Sequence, residues 1–284
     1  MSSTHSGAER PSAVELYTKT SYELAELLTR RYSTSFASSS QLFDVAIRRH
    51  IYAIYGMVRI ADEIVDTYRG DDTAEQLAHL RSEITSAINA HYNTNPLLHA
   101  FADTAVEFSI TDDLIDPFFE SMESDLRPST FDRQAYERYI YGSAEVIGLM
   151  CLKVFTADDK RYEELAPGAR ALGAAYQKVN FLRDLKADYE QLGRVYFPGV
   201  AYDTFDDTQK DAIIADIDAD FAVAREAVSA LPPNSKRAVR TSFRYYSELL
   251  KILRHTPAAE IKKRRVRVPN SKKLSIFAKT KVGL

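Results

Sequence analysis

Apolar residues recur at three- and four-residue intervals along most of the chain, and alternating runs of apolar and polar residues are few. This spacing is typical of amphipathic helices, whose apolar side chains line one face. Turn-forming strings such as Gly70-Asp-Asp-Thr73 and Leu231-Pro-Pro-Asn234 separate the periodic stretches. The pattern predicts an all-α protein with helices at about residues 21–32, 42–68, 73–92, 96–109, 111–125, 132–155, 162–190, 206–230 and 234–255.

The length and composition fit a single domain. The chain has 284 residues, of which 45% are hydrophobic, and this is enough for one sizeable core. Residues 1–20 are polar and small and lack the apolar stretch of a signal peptide. We therefore predict a flexible N-terminal head over 1–20 and one helical domain over 21–284, with no targeting segment and no membrane-spanning run.

Two pairs of aspartates interrupt helices that are otherwise apolar. Asp62 and Asp66 enclose Ile64 and Val65, and Asp184 and Asp188 form the second pair. A four-residue step places both carboxylates of a pair on one helix face. Because uncompensated buried carboxylates are costly, the pairs predict cations bound between facing helices, and Asp oxygens suit Mg²⁺.

Each pair belongs to a longer polar stripe on its helix. Tyr55 and Arg59 precede the first pair, and Gln177 and Asn180 precede the second. For either stripe alone, an exposed and salt-bridged helix face is an equally good interpretation. Two matching stripes, one with amides beside carboxylates, favour a functional site.

The other Asp-x-x-x-Asp pairs have simpler explanations. The chain contains 22 aspartates and six such pairs. Three pairs fall in the acidic stretch Tyr202–Asp220, which is typical of a solvated surface. Asp112 and Asp116 lie near Pro117, where the chemistry of a helix start accounts for acidic residues.

Other common site types are not supported. Cys151 is the only cysteine and lies in the apolar string Ile147–Leu152, which excludes disulfides and thiolate zinc sites and favours a buried structural thiol. The six histidines show no metal-ligand spacing. Glycine-rich phosphate loops are absent from the sequence, so nucleotide binding is not expected.

Several longer strings resemble the motifs of one enzyme family. Tyr32-Ser-Thr-Ser-Phe36, residues 52–66 and residues 180–198 are similar to an early serine element and to two aspartate motifs of the squalene/phytoene synthases. Tyr141–Met150 resembles the central helix of bacterial phytoene synthases. The resemblance covers about residues 21–270. This family consists of trans-prenyltransferases that condense isoprenoid diphosphates head to head.

The resemblance implies an isoprenoid-synthase helical bundle whose two aspartate stripes face each other across the mouth of a central cavity. Asp62, Asp66, Asp184 and Asp188 would be catalytic and would bind Mg²⁺, or Mn²⁺ in its place, with Asn180 as a further ligand. The expected substrate contacts are Ser33, Ser35, Phe36, Tyr55, Arg59, Tyr141, Gln177, Asn180 and Arg183. Helix capping is the alternative role for the two serines, and core packing is the alternative for the aromatic residues.

The implied reaction joins two geranylgeranyl diphosphates at their 1 and 1′ carbons, through a cyclopropylcarbinyl diphosphate, to give phytoene for carotenoid biosynthesis. NADPH is not expected as a cofactor. Farnesyl diphosphate, giving squalene or dehydrosqualene, is the alternative. Thr34 stands where many relatives carry a basic residue, so one diphosphate contact must be absent or come from elsewhere.

Three other classes compete with this interpretation. Head-to-tail elongases and terpene cyclases share its metal chemistry, but the elongase signature Asp-Asp-x-x-Asp is absent because residue 63 is Glu. A non-catalytic helical scaffold of the same fold is the remaining alternative. Such a scaffold would have no reason to retain four inward carboxylates.

The C-terminal segment is strongly basic. Residues 262–284 carry nine Lys or Arg and no acid, so residues 1–261 hold 28 basic and 40 acidic groups, a balance of −12. An anionic-membrane contact, a lid that binds diphosphate and a solubilising tail are three open interpretations. Nucleic acid is not expected, because no aromatic residues form a ladder among these charges.

A C40 hydrocarbon would not leave readily into water, so we expect peripheral contact with a bilayer. The predicted location is the cytoplasm, with contact at the inner face of the membrane. The sequence makes no prediction of oligomeric state.

Overall fold

The computed structural model describes residues 12–68, 70–126, 131–156 and 158–281. These residues form helices and no strands, so the predicted all-α class is confirmed. The helices are α1 Ala13–Tyr32, α2 Thr34–Ser40, α3 Val45–Asp62, α4 Thr73–Ala90, α5 Pro96–Glu107, α6 Asp112–Ser124, α7 Arg133–Ile140, α8 Val146–Thr156, α9 Asp159–Leu192, α10 Asp207–Ala230, α11 Pro233–His255, α12 Ala258–Ile261 and α13 Asn270–Lys281.

Two segments are wound as π-helix rather than α-helix. Glu63–Tyr68 continues α3 and contains Asp66, and Tyr141–Glu145 joins α7 to α8. Such wider turns inside helices frequently occur at functional sites. The predicted helices 42–68 and 132–155 are therefore continuous helical stretches, but each contains a π turn that apolar periodicity did not predict.

Helix starts follow side-chain caps that the sequence displays. Asp44 accepts a hydrogen bond from the Ala46 amide at 2.9 Å, and Asn95 accepts one from the Leu97 amide at 3.1 Å. Asp206 caps α10 in the same way. Because these caps satisfy amides that have no partner within the helix, they fix where each helix begins.

The first helix begins within the segment 1–20 that was predicted to be a flexible head. Residues 1–11 lie outside the described residues, and α1 begins at Ala13. The Ser12 hydroxyl accepts a hydrogen bond from the Glu15 amide at 3.2 Å, and the Glu15 carboxylate accepts one from the Ser12 amide at 2.6 Å. This reciprocal capping box stabilises the first turn. Residues 13–20 are therefore helical, which corrects the predicted boundary at residue 20.

Three helices were not predicted from the sequence. α2 and α12 are short, with seven and four residues. α13 lies in the basic segment 262–284, where apolar residues are too sparse to show a clear period. α13 packs against α11, so a large part of the basic segment is folded onto the bundle. Residues 282–284 lie outside the described residues.

The buried apolar side chains form two main clusters. One lies chiefly among α3 to α6 and α8, and the other among α7 and α9 to α12. The 34-residue helix α9 packs against both α8 and α10 and so connects the two clusters. Side chains from both clusters line the cavity described below, which explains how distant stripes can meet there.

One helical stretch in the described part of the chain, Arg133–Thr156, is long and apolar enough by composition to cross a membrane. In the fold, 56% of its most apolar window is buried, and α8 packs against α3, α6 and α9. Core helices of this kind also reach such apolarity, so packing accounts for it.

Gly142 marks a close approach of two elements. A Cβ atom at this position would overlap the Pro117 carbonyl oxygen and the Ser121 hydroxyl of α6. We expect Gly142→Ala to lower the free energy of unfolding by about 1–3 kcal/mol, because α6 must shift to admit the methyl group. Gly56→Ala is the matched control, since its Cβ would meet Ala25 at an ordinary 3.7 Å. Urea denaturation of both variants provides the measurement, and equal stability would contradict the expectation.

Candidate active site

A cavity of about 740 Å³ brings the two aspartate stripes together. Asp62 ends α3, Asp66 lies in the π turn that follows, and Asp184 and Asp188 lie on α9, and all four line this cavity. The charge on Asp66 contributes to the raised pKa of Asp188, so the stripes are close enough to interact across the mouth. The predicted convergence of the two pairs is therefore present in the fold.

The carboxylates are crowded, and burial and the charges of neighbouring acids raise the pKa values of two of them. Burial, followed by the charge on Asp66, raises the pKa of Asp62 to about 7. Burial, followed by the charges on Asp184 and Asp66, raises the pKa of Asp188 to about 7. Arg59 only partly offsets the first effect, with Nη1 at 4.0 Å from the Asp62 carboxylate. Such a site stabilises cations strongly.

A fifth carboxylate at the mouth was missed by sequence reasoning. Asp125 directly follows α6, and its side chain is 6% exposed. It accepts a hydrogen bond from the Tyr139 hydroxyl at 2.7 Å. Burial raises the pKa of Asp125 to about 6, although the Arg194 charge opposes this. The sequence around Asp125 contains no spacing or motif that indicates a functional acid. The residue is typical of the end of a helix.

Arg194 is the cation that links this acid to the first stripe. Gly193 ends α9 in a left-handed conformation at φ 68°, which reverses the chain and returns Arg194 towards the cavity. Arg194 Nη1 lies 3.3 Å from Asp66 and 3.4 Å from Asp125. Arg194 lies within residues 180–198, the string that resembles the second aspartate motif. That resemblance was the one sequence feature that could have indicated it as a site residue.

Asp184 is held by two guanidinium groups. Arg183 Nε donates to Asp184 at 3.0 Å, and Arg265 Nε lies 2.7 Å from the same carboxylate. Arg265 belongs to the basic C-terminal segment, and Lys273 and Phe277 of α13 also line the cavity. The basic segment therefore covers one side of the mouth, which fits the lid among its three interpretations.

The predicted diphosphate contact Arg59 is held in place by its neighbours. Its guanidinium pairs with Glu63 one turn along and lies 4.4 Å from the ring centre of Tyr32. The side chain is 25% exposed and lines the cavity. These contacts orient the guanidinium at the mouth beside Asp62.

An apolar chamber of about 350 Å³ adjoins the acidic mouth. Phe36 and Tyr55 line both spaces and stack with ring centres 5.2 Å apart. Deeper in the chamber, Phe43 stacks on Phe155 at 5.3 Å. Cys151 also lines the chamber, and burial raises the pKa of its thiol to about 12, which keeps it protonated and unreactive. Phe36 and Tyr55, two of the three predicted aromatic contacts, are thus cavity residues as well as packing residues.

The remaining predicted polar residues differ in how they relate to the cavity. Gln177 and Asn180 line both spaces. Ser33 lines the mouth and also caps α2, because its hydroxyl accepts a hydrogen bond from the Phe36 amide at 3.3 Å. The side chain of Ser35 lies outside the described residues.

Tyr141 requires a correction, because it does not line either space. The guanidinium carbon of Arg170 lies 5.1 Å from its ring centre, and the side chain packs against the first core cluster. Tyr141 begins a π turn, which changes the direction of successive side chains. Tyr139 before it and Ser143 after it line the cavity instead.

The oxygen donors at the mouth suit a hard divalent cation. Asn180 Oδ1 is buried and has no hydrogen-bond partner among the described residues. Within the same residues, no three His, Cys, Asp or Glu side chains converge to form a complete metal site. Mg²⁺ is commonly held by one or two carboxylates together with water and substrate phosphates. The residues present therefore fit a metal that binds together with a diphosphate.

Comparison with known proteins identifies the family. A family model for squalene/phytoene synthases matches residues 29–272. The phytoene synthase of Arthrospira platensis is 30% identical over 262 residues, which cover 81% of this chain and 82% of that protein. The 4,4′-diapophytoene synthase of Staphylococcus haemolyticus is 26% identical, covering 69% of this chain and 68% of that protein.

Solved structures show the same architecture. A dehydrosqualene synthase in complex with a ligand superposes with a TM-score of 0.81 at 20% identity, covering 94% of this chain and 98% of that one. A squalene synthase from Alicyclobacillus acidocaldarius gives 0.74 at 23% identity, covering 84% and 95%. At these identities the likeness concerns the fold, whereas the family match spans most of the sequence. This chain belongs to the squalene/phytoene synthase family and is a prenyltransferase of the kind that joins isoprenoid diphosphates head to head.

Proposed function

We propose that this enzyme condenses two geranylgeranyl diphosphates to phytoene in a Mg²⁺-dependent reaction of carotenoid biosynthesis. The observation that carries the proposal is the joining of an acidic mouth, lined by both aspartate pairs, to an apolar chamber. A prenyl diphosphate has the same division between a charged head and an apolar chain. The similarity to phytoene synthases supports the C20 substrate.

Asp62, Asp66, Asp184 and Asp188 would hold the metal, with the unpaired Asn180 oxygen as a further donor. When bound, Mg²⁺ supplies Lewis-acid stabilisation of the departing diphosphate. The raised pKa values of Asp62 and Asp188 support this role, because a nearby cation would relieve the repulsion that raises them.

Arg59 and Arg183 would bind diphosphate oxygens through charge-assisted hydrogen bonds. Glu63 and the Tyr32 ring orient Arg59, and the Asp184 carboxylate orients Arg183. Gln177 and Ser33 would add neutral hydrogen bonds. These contacts fix the head group, so the reacting carbons of two chains are held close together.

The chamber would exclude water from the allylic cations. In the first half of the reaction, loss of diphosphate gives a cation that couples to the double bond of the second substrate, and loss of a proton closes the ring of the cyclopropylcarbinyl diphosphate. Loss of the second diphosphate, rearrangement and proton loss then give the triene. Phe36 and Tyr55 would face these cations with their π systems. We propose departing diphosphate as the base that accepts the proton.

Farnesyl diphosphate remains the second candidate substrate, and the similarity to a diapophytoene synthase favours it. The deciding experiment incubates the purified protein and Mg²⁺ with each diphosphate, with and without NADPH, and identifies the hydrocarbon by mass spectrometry. We expect phytoene from the C20 substrate without NADPH. Dehydrosqualene or squalene as the only product would overturn the substrate assignment, and no hydrocarbon from either substrate would overturn the proposed reaction.

We further propose that the enzyme works in the cytoplasm and docks on the inner face of the membrane through α13. Leu274 is 72% exposed on this helix, beside Lys272, which is 51% exposed. An exposed apolar residue among lysines is typical of contact with an anionic bilayer.

We expect Leu274→Glu to reduce flotation with phosphatidylglycerol vesicles about tenfold, because burial of one leucine side chain is lost. High salt should weaken binding of the unsubstituted protein. Val223→Glu is the matched control, since Val223 is 54% exposed on the acidic helix α10. Equal flotation of the two variants would count against docking through α13.

A further inference from the structure

A separate groove of about 240 Å³ lies on the flank of α9, beside the acidic mouth. We call it the outer groove. Its basic side chains come from two parts of the chain: Arg183 and Lys186 from α9, and Lys263, Arg264 and Arg265 from the segment after α12. Among its described lining residues, Asp184 and Glu190 are the carboxylates. The outer groove therefore carries an excess of positive charge.

The outer groove opens onto the mouth of the active site. Arg183, Asp184 and Arg265 line both spaces. Arg265 bridges them directly, with its Nε 2.7 Å and its Nη2 3.1 Å from the Asp184 carboxylate oxygens. An anion in the outer groove would thus lie next to the acids that we propose as metal ligands.

The three cations that line only the outer groove have weak partners. Lys186 lies 3.6 Å from Glu190, and Arg264 lies 3.6 Å from Glu260. Lys263 shares the same Glu260 at 3.0 Å. The side chain of Lys186 is 37% exposed, that of Arg264 is 72% exposed and that of Lys263 is 68% exposed. Exposed pairs of this kind contribute little free energy, so these cations can exchange a carboxylate for another anion at small cost.

The surrounding charge makes such a site useful. Residues 1–261 have a net charge of −12. The described lining of the mouth carries five carboxylates and five basic side chains. A diphosphate that enters or leaves must pass both groups, and the cations of the outer groove lie beside its path. A neighbouring patch of positive charge raises the local concentration of an anion and steers its approach.

We propose that the outer groove is a second binding site for a diphosphate group, occupied on the way into or out of the metal site. This inference rests on the proposed function, because it assigns the groove to the diphosphates of that reaction. Guanidinium and ammonium groups bind phosphate oxygens through charge-assisted hydrogen bonds, and three such side chains here lie beyond the mouth. An anionic lipid headgroup carries the same phosphate chemistry and is the competing occupant.

The test uses the full chain without divalent metal and inorganic pyrophosphate as the probe. Isothermal titration calorimetry compares the unsubstituted protein, the variant K186Q/K263Q/R264Q and the charge-matched control K19Q/K160Q/R237Q, which removes two lysines and one arginine exposed on other faces. We expect the groove variant to lose at least about tenfold in affinity and the control to lose little. Thermal unfolding checks that both variants are folded.

Flotation with phosphatidylglycerol and phosphatidylcholine vesicles forms the second arm. Loss of pyrophosphate affinity in the groove variant alone supports the proposal. Equal losses of pyrophosphate affinity in both variants would show only an effect of net charge and would overturn the proposal. Unchanged pyrophosphate affinity in both variants would overturn it as well. Loss of vesicle binding with unchanged pyrophosphate affinity would assign the groove to lipid headgroups and overturn the diphosphate assignment. Pyrophosphate binding is measured without turnover. The calorimetric result therefore tests the outer groove separately from the prenyl assay, which tests the proposed function.

Discussion

Asp62→Asn is expected to lower prenyl turnover on the order of 10³-fold, the loss typical when one electrostatic group that stabilises a transition state is removed. The same substitution should raise the thermal unfolding midpoint. Both effects have one cause, which is the crowding of partly buried carboxylates at the mouth. Catalysis needs that crowding to bind cations, whereas the protein without metal is destabilised by it.

The direction of the stability change follows from the pKa of Asp62. Burial and the charge on Asp66 raise this pKa to about 7 in the folded protein, from 3.8. The folded state therefore holds the proton more tightly than the unfolded chain, and stability falls as the pH rises from about 4 to about 7. Above pH 7 the Asp62 side chain is ionised in both states, and its charge destabilises the folded state. Asparagine carries no charge and therefore removes this destabilisation. We expect a gain of about 1 kcal/mol or more, equivalent to roughly 2 °C, near pH 8.

Asp116→Asn is the matched control, because Asp116 also belongs to an Asp-x-x-x-Asp pair but is 52% exposed and pairs with Arg81. It should change neither turnover nor the unfolding midpoint appreciably. Calorimetry with and without Mg²⁺ and pyrophosphate adds a readout that is independent of turnover, since these ligands should stabilise the unsubstituted protein more than the Asp62 variant. Turnover that survives in Asp62→Asn would contradict the proposed role of this carboxylate.

Lys178→Met is expected to lower the free energy of unfolding by about 1–3 kcal/mol, which is typical when partly buried polar groups lose their hydrogen-bond partner. Lys178 is 7% exposed on α9, and its ammonium lies 2.6 Å from Asp216 and 2.7 Å from Asp220 of α10. Burial raises the pKa of Asp220, and the Lys178 charge opposes that rise. Without the lysine, two carboxylates remain close together with no cation between them.

The triple variant K178M/D216N/D220N should recover much of the lost stability, because it removes the unpaired charges as well. Lys160→Met, at an exposed position, is the control. Urea denaturation measures all three. Lys178→Met with unchanged stability would show that the α9–α10 contact does not depend on this ion pair.

The same ion pair shows where sequence reasoning was wrong. The acidic stretch Tyr202–Asp220 was expected to be a solvated surface, but Asp216 and Asp220 hold a buried lysine. Lys210, in the same stretch, is 4% exposed and donates to the Thr256 carbonyl at 3.1 Å. Composition described the average of this stretch, and only the position of α10 against its neighbours distinguished buried charges from exposed ones.

The sequence by itself determined most of the long helices and the two aspartate stripes. Apolar periodicity, caps and four-residue spacing are local properties, because a helix fixes the directions of side chains a few positions apart whatever lies around it. The predicted bounds of most long helices, and the side of α3 and α9 that carries Asp62 and Asp184, therefore follow from the chain alone. The long motif strings added the family.

Only the tertiary structure decided which residues complete the site. Asp66 and Arg194 are 128 positions apart, and Asp184 and Arg265 are 81 apart. Asp125 joins them from the end of α6, while Tyr141 turns away because a π turn begins there. Such contacts depend on how helices distant in sequence pack and on small changes in helical winding. Periodicity within one helix contains no information about either, so a single sequence fixes the stripes but not their partners.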